Sequence, residues 1–402
     1  MPVKNFAQFL LTVKRHSITF MKKSSSTALE RDASAEAPSA WHPVFPLTRP
    51  AVVVGCLYIL LIGLDILIHH HDPLYYVHLG PRFVYHDPHA LAGYDGQFYY
   101  QIARDPLHAA PFLDKPAYRY QRIIYSLLVA VLSLGQARLI PYMLLLVNLA
   151  SIILGTELLA RLLNKKNLSP WYSLAFGLYF GLTASFLFDL TEPLTYFLVC
   201  LGLVLLFQKR LTVAAIIWGL AVLSRETAIL FPLGYIAMFL YQRRWQDASR
   251  FMLLSIVPTI AWYLLVGLYF HTNGLSGAPP FERLPFQGLF HFSNDPRLFS
   301  VLILLMFIPT LLSIALAANE VFQHRWKNVT WLIWLLNIVL VTNLSYLTYA
   351  GLVSAGRLSI GLVLAMLLHG LSTNNRLVLR FSQVYILIFP LYAISVLLIA
   401  SN

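Results

Sequence analysis

The chain has 402 residues, 58% of them hydrophobic and only 11% charged, with a formal net charge of +12. A soluble domain carries roughly 25% charged residues, so this composition excludes a soluble enzyme and indicates a polytopic membrane protein. The basic residues lie in short clusters between apolar runs, which argues against a nucleic-acid partner and matches the enrichment of Lys and Arg in cytoplasmic loops.

Residues 1–50 carry seven Lys/Arg against three Asp/Glu. Phe9-Leu10-Leu11 is too short for a signal-peptide core. Residues 24–40 (SSSTALERDASAEAPSA) have the composition of a disordered linker. The tail is expected in the cytoplasm, its first 23 residues resting on anionic lipid. Residues 51–402 are expected to form the membrane domain. Cys56 and Cys200 both fall in apolar runs and define no disulfide framework.

A span needs about 20 mostly apolar residues. Clear runs occupy 51–68, 139–160, 170–188, 251–270, 298–318, 329–349, 352–371 and 381–400, with shorter ones at 192–207, 211–224 and 227–241. Residues 120–134 are ambiguous. If they cross, Arg161, Lys165 and Lys166 and every later basic cluster fall outside. If they lie on or dip into the outer face, five clusters join the basic tail inside: Arg161/Lys165/Lys166, Lys209/Arg210, Arg243/Arg244/Arg250, Arg325/Lys327 and Arg376/Arg380. The second arrangement gives an all-α protein of about eleven spans, N-terminus in and C-terminus out. Residues 69–138 then form a long extracytoplasmic loop carrying juxtamembrane helices. No internal repeat supports an inverted-repeat transporter.

This topology sorts the charged residues. Asp72, Asp87, Asp105 and Asp295 each precede proline, the pairing of a helix start. Asp95 instead precedes Gly96; it can cap a helix over 96–103 or do chemistry. Glu192 starts a span in Thr-Glu-Pro. Arg225 and Glu226 occupy a tight outer turn, either as a neutralised corner pair or as the floor of a cavity. Arg357 follows a small-residue stretch at the last outer turn, where a snorkelling arginine is less at home than inside. Arg119 and Arg122 flank Tyr120, placed to grip lipid headgroups or a phosphate. One carboxylate facing several arginines suits a lipid-phosphate substrate, because arginine binds phosphate with a fixed fork and keeps its charge. Histidines 69–71 with His78, His86, His89 and His108 crowd the first loop. Three consecutive histidines on a helix cannot all face one ion, so no metal and no cofactor is expected.

Residues 50–400 resemble the GT-C superfamily of membrane glycosyltransferases, and within it bacterial multi-spanning proteins of cell-surface glycopolymer formation. Their Tyr-Asp-Gly-Gln-aromatic-Tyr pattern stands here as Tyr94-Asp95-Gly96-Gln97-Phe98-Tyr99, followed by Ile102-Ala103. Thr191-Glu192-Pro193 and Ser224-Arg225-Glu226-Thr227 look like further motifs of the group. The superfamily's paired Asp-Asp or Asp-Glu is absent, since Asp95 is followed by glycine. The resemblance implies inverting transfer, on the extracytoplasmic face, from a polyprenyl-phosphate-linked sugar to a hydroxyl of a glycan or lipid acceptor. Asp95 would be the general base. Tyr94, Gln97, Tyr99, Arg119, Arg122, Glu192, Arg225, Glu226 and Arg357 would bind substrate, with membrane lipids as the other partners. A flippase of lipid-linked sugar, or a structural subunit of an envelope synthase, would use similar outer arginines.

Overall fold

The structure, a computed structural model, describes residues 47–399 apart from 273 and 324–326. The N-terminal tail and Arg325 lie outside the described residues. From Leu47 onward the chain forms one compact unit. Every regular element among the described residues is helical.

Six helices are long and apolar enough to cross a membrane: Arg49–His69, Ile140–Lys165, Trp245–Tyr269, Pro296–Phe322, Leu352–Ser372 and Arg376–Leu398. The protein is therefore an α-helical membrane protein by length and composition. Shorter apolar helices stand at Ile123–Leu132, Glu192–Phe207, Leu211–Ser224, Glu226–Tyr241 and Val329–Thr342. The eleven expected spans are thus not eleven helices of spanning length.

The run 170–188 shows the difference most clearly. It breaks into a 3₁₀ turn, Pro170–Ser173, and two short helices, Leu174–Gly177 and Phe180–Leu187, with Tyr179 extended between them. Gly177 marks the break. A Cβ there would lie 2.4 Å from Thr156 Oγ1, so the close approach to the Ile140–Lys165 helix requires the residue that also weakens a helix. In the span Pro296–Phe322 the turn Ile303–Phe307 widens to π geometry just before Pro309. Proline has no N–H to continue the ladder, and its ring crowds the carbonyl four residues back.

We label Arg49–His69 as α1, Gly96–Arg104 as α2, Ile123–Leu132 as α3, Ile140–Lys165 as α4, Glu192–Phe207 as α5 and Leu211–Ser224 as α6. α3 has 10 residues, too few to cross a bilayer; it packs among α2, α4 and α6. Phe98 and Ile102, one turn apart on α2, enter an apolar cluster with Leu113, Ala117, Tyr120, Ile123 and Val266. Each large buried side chain there contributes about 1.5–3 kcal/mol. The cluster fastens the loop between α1 and α4 to the Trp245–Tyr269 span, and so fixes the frame on which Asp95 stands.

Candidate active site

Asp95 occupies the N-cap position of α2, but its backbone is helical and its side chain makes no cap bond. The capping alternative is therefore not what holds this carboxylate. The true Asp-Pro cap is Asp295, which accepts from the N–H groups of Arg297 and Leu298. Asp72, Asp87 and Asp105 likewise accept backbone N–H groups in their own turns.

The carboxylate of Asp95 goes to two arginines instead. Oδ1 lies 2.9 Å from Arg119 Nη2, and Oδ2 accepts from Arg357 Nη2 at 2.7 Å. Each arginine has a second acid. Arg119 grips Asp114 in a fork of 2.7 and 2.8 Å, and Arg357 Nε lies 2.7 Å from Glu192 Oε1. The same Glu192 oxygen is 2.6 Å from Arg225 Nη1. These last contacts are ionic rather than aligned hydrogen bonds, and Arg225 Nε, also buried, has no hydrogen-bond partner among the described residues. Alongside, Arg122 forks onto Glu226 at 2.8 and 2.6 Å and donates to the Tyr99 and Tyr118 hydroxyls.

The local chain explains this placement. A Cβ on Gly96 would lie 2.3 Å from the Phe188 carbonyl oxygen, so only glycine lets Asp95 sit this close to the turn before α5. Gln97 ties the loop beneath, accepting from Gly80 N at 3.0 Å and donating to Ala92 O at 2.6 Å. Tyr94 hydrogen-bonds Ser354 at 3.0 Å and Arg357 at 3.4 Å.

Asp95, Asp114, Arg119, Arg225, Glu226 and Arg357 face a cavity of about 400 Å³, closed on the other side by residues 277–281 and 340–348. All these segments are ones the expected topology assigns to a single face. Tyr94, Gln97, Tyr99, Arg122 and Glu192 do not line it; Tyr94, Arg122 and Glu192 hold lining groups, Tyr99 accepts from Arg122, and Gln97 ties the loop before Asp95. The structure adds Asp114, Lys115 and Tyr118, which the sequence reading passed over. Asp114 five residues before Arg119 was the available signal.

Asp95 keeps about a quarter of its side chain open, 24%. Desolvation in the wall works against its ionisation, but Arg119 and Arg357 outweigh it and hold the carboxyl well below the usual carboxylate range. Glu226 is likewise brought down to about 2: burial opposes this, and Arg122 and Arg225 prevail. Arg119 is pushed above its ordinary value, since Asp95 and Asp114 overcome its burial. The site can therefore hold an anion against arginines, and it keeps Asp95 and Glu226 ionised beside them.

Comparison with protein-family models, with curated proteins and with solved structures finds no match to this chain.

Proposed function

We propose that the chain is a membrane glycosyltransferase that moves a sugar from a polyprenyl-phosphate-linked donor to a hydroxyl acceptor of a cell-surface glycan or glycolipid, on the extracytoplasmic face. The observation that carries this reading is the position of Asp95, held between Arg119 and Arg357 in the wall of a cavity where the buried Arg225 Nε lacks a partner. A donor phosphate in that cavity would find a spare donor on Arg225 and would compete with the carboxylates for Arg357 and Arg119.

The step balances without a cofactor. The acceptor oxygen forms a bond to the anomeric carbon as its proton passes to Asp95. The bond from that carbon to the phosphate oxygen breaks, and the electron pair leaves with the lipid phosphate. Fixed cations contribute most where negative charge develops, which is the role of the arginines here. Phosphate binding also readies the base: once the anion takes a share of Arg357 and Arg119, Asp95 loses the charges that keep it so acidic, and its basicity rises.

The test is incubation of the purified protein with labelled polyprenyl-phosphate hexoses and pentoses and with glycan and lipid acceptors. Acceptor-dependent release of polyprenyl phosphate is expected. Translocation of intact donor across reconstituted vesicles, with no bond cleavage for any donor, would overturn the reading in favour of a flippase.

A further inference from the structure

The histidine run after α1 does not continue as a helix, which removes the premise on which a metal was set aside. α1 ends at His69, and His70 takes a left-handed conformation, φ 56°. That turn folds His71 back toward the helix it has just left. His69 Nδ1 lies 3.1 Å from Asp65 Oδ1, and His71 Nδ1 lies 3.1 Å from Asp65 Oδ2. The two imidazoles stack with centroids 5.2 Å apart, and the ligand atoms of all three residues lie within 4.8 Å of one another. His70 itself is exposed and points elsewhere.

Asp65 is 1% exposed on a helix otherwise apolar enough to cross a bilayer. A carboxylate so placed is costly unless it is paired or binds a cation. Its remaining valence is filled by the Tyr76 hydroxyl, which donates to Oδ2 at 2.5 Å. That is the arrangement of an outer partner that orients a ligating carboxylate. A tetrahedral zinc with bonds of about 2.0–2.2 Å places its ligand atoms about 3.3–3.6 Å apart, so the two pairs at 3.1 Å must open slightly and the widest pair, within 4.8 Å, must draw in.

We propose that Asp65, His69 and His71 bind one divalent cation of the zinc class, oriented by Tyr76. Two nitrogens and one carboxylate form a borderline donor set that favours zinc over magnesium or calcium. The site is separate from the Asp95 cavity, and its role is to pin the start of the long loop to α1. His71 stacks on Tyr75, whose carbonyl accepts from His78 N, and the carbonyl of His78 accepts in turn from Tyr94 N. The cation thus braces the segment that leads to Asp95.

The experiment uses the full-length protein in detergent, purified without a polyhistidine tag, stripped with EDTA and titrated with zinc sulfate by calorimetry, with elemental analysis after desalting. One zinc per chain and a raised thermal midpoint are expected. His71→Ala and Asp65→Asn should weaken binding more than about tenfold, and Tyr76→Phe by about 10- to 100-fold. His70→Ala should bind as wild type does. The wild-type titration stands whether or not the Asp65 variant folds. Absence of saturable zinc binding by the wild type, or equal loss in His70→Ala and His71→Ala, would overturn the site.

Discussion

Asp95→Asn separates the structural from the chemical role of this residue. Removing one member of a buried ion pair often costs about 3–5 kcal/mol, because the partner is left uncompensated. Here neither arginine is orphaned: Arg119 keeps its fork to Asp114 and Arg357 keeps Glu192. Asp95 is also 24% exposed, so water screens part of the charge. The expected loss of stability is therefore smaller, about 1–3 kcal/mol, the scale of a buried group losing its partner. Its pH dependence follows from the carboxyl's lowered pKa. The stabilisation is complete above the ordinary value of 3.8 and is lost as pH falls below it, so wild type and variant should converge in acid. Transfer should fall by roughly 100- to 10,000-fold, the usual worth of a general base. Donor binding should stay equal or tighten, because the neutral amide no longer competes with phosphate for two arginines. The assays are donor affinity, label transfer and thermal midpoint on one preparation. Wild-type transfer by the variant, or donor binding lost in step with transfer, would refute the assignment.

Arg357→Lys and Arg225→Lys keep the charge and lose the fork, so both should lower donor affinity with folded protein preserved; unchanged affinity in both removes them from the site. Gly96→Ala forces a Cβ against the Phe188 carbonyl, so the Asp95 turn must shift; a cost of about 1–3 kcal/mol and loss of transfer are expected, read from the thermal midpoint and label release. Cysteines introduced at 115 and 285 should react with an impermeant reagent applied outside, and one at 165 should not. Labelling at 165 would reverse the topology.

The helical membrane class was legible because long apolar runs have few alternatives. Asp95 stood out because glycine, not proline, follows it; Arg357 does pair with it, and Arg225 reaches the same cavity through Glu192. The pairing itself was not legible. The sequence shows arginines as free cations, whereas burial forces each to find a carboxylate, and only packing decides which. Asp114 escaped notice because its place five residues before Arg119 is the one local hint, and only the fold turns it into a fork. The convergence of His69 and His71 on Asp65 was not legible for a backbone reason: one left-handed residue at the helix end brings the two side chains to the same carboxylate. The break in 170–188 had a different source, a close approach at Gly177 that hydropathy does not register.

The pairing bears on how such a site works at all. Four arginines, 119, 122, 225 and 357, stand against four carboxylates, Asp95, Asp114, Glu192 and Glu226, so the group is close to neutral before any substrate arrives. That balance lets the arginines be buried without the donor, since the cost of an isolated buried charge would otherwise fall on folding. On the proposed function, a phosphate would bind by exchange, gaining arginine contacts and releasing carboxylates from theirs. Glu192, fully buried behind the lining, cannot move toward the cavity, and Glu226 retains Arg122. Asp95 is the acid that combines two arginine contacts with an open side toward the cavity. On the proposed function it is therefore the carboxylate an entering phosphate would displace most readily, and displacement would turn a strongly acidic ion-pair partner into a base next to the acceptor.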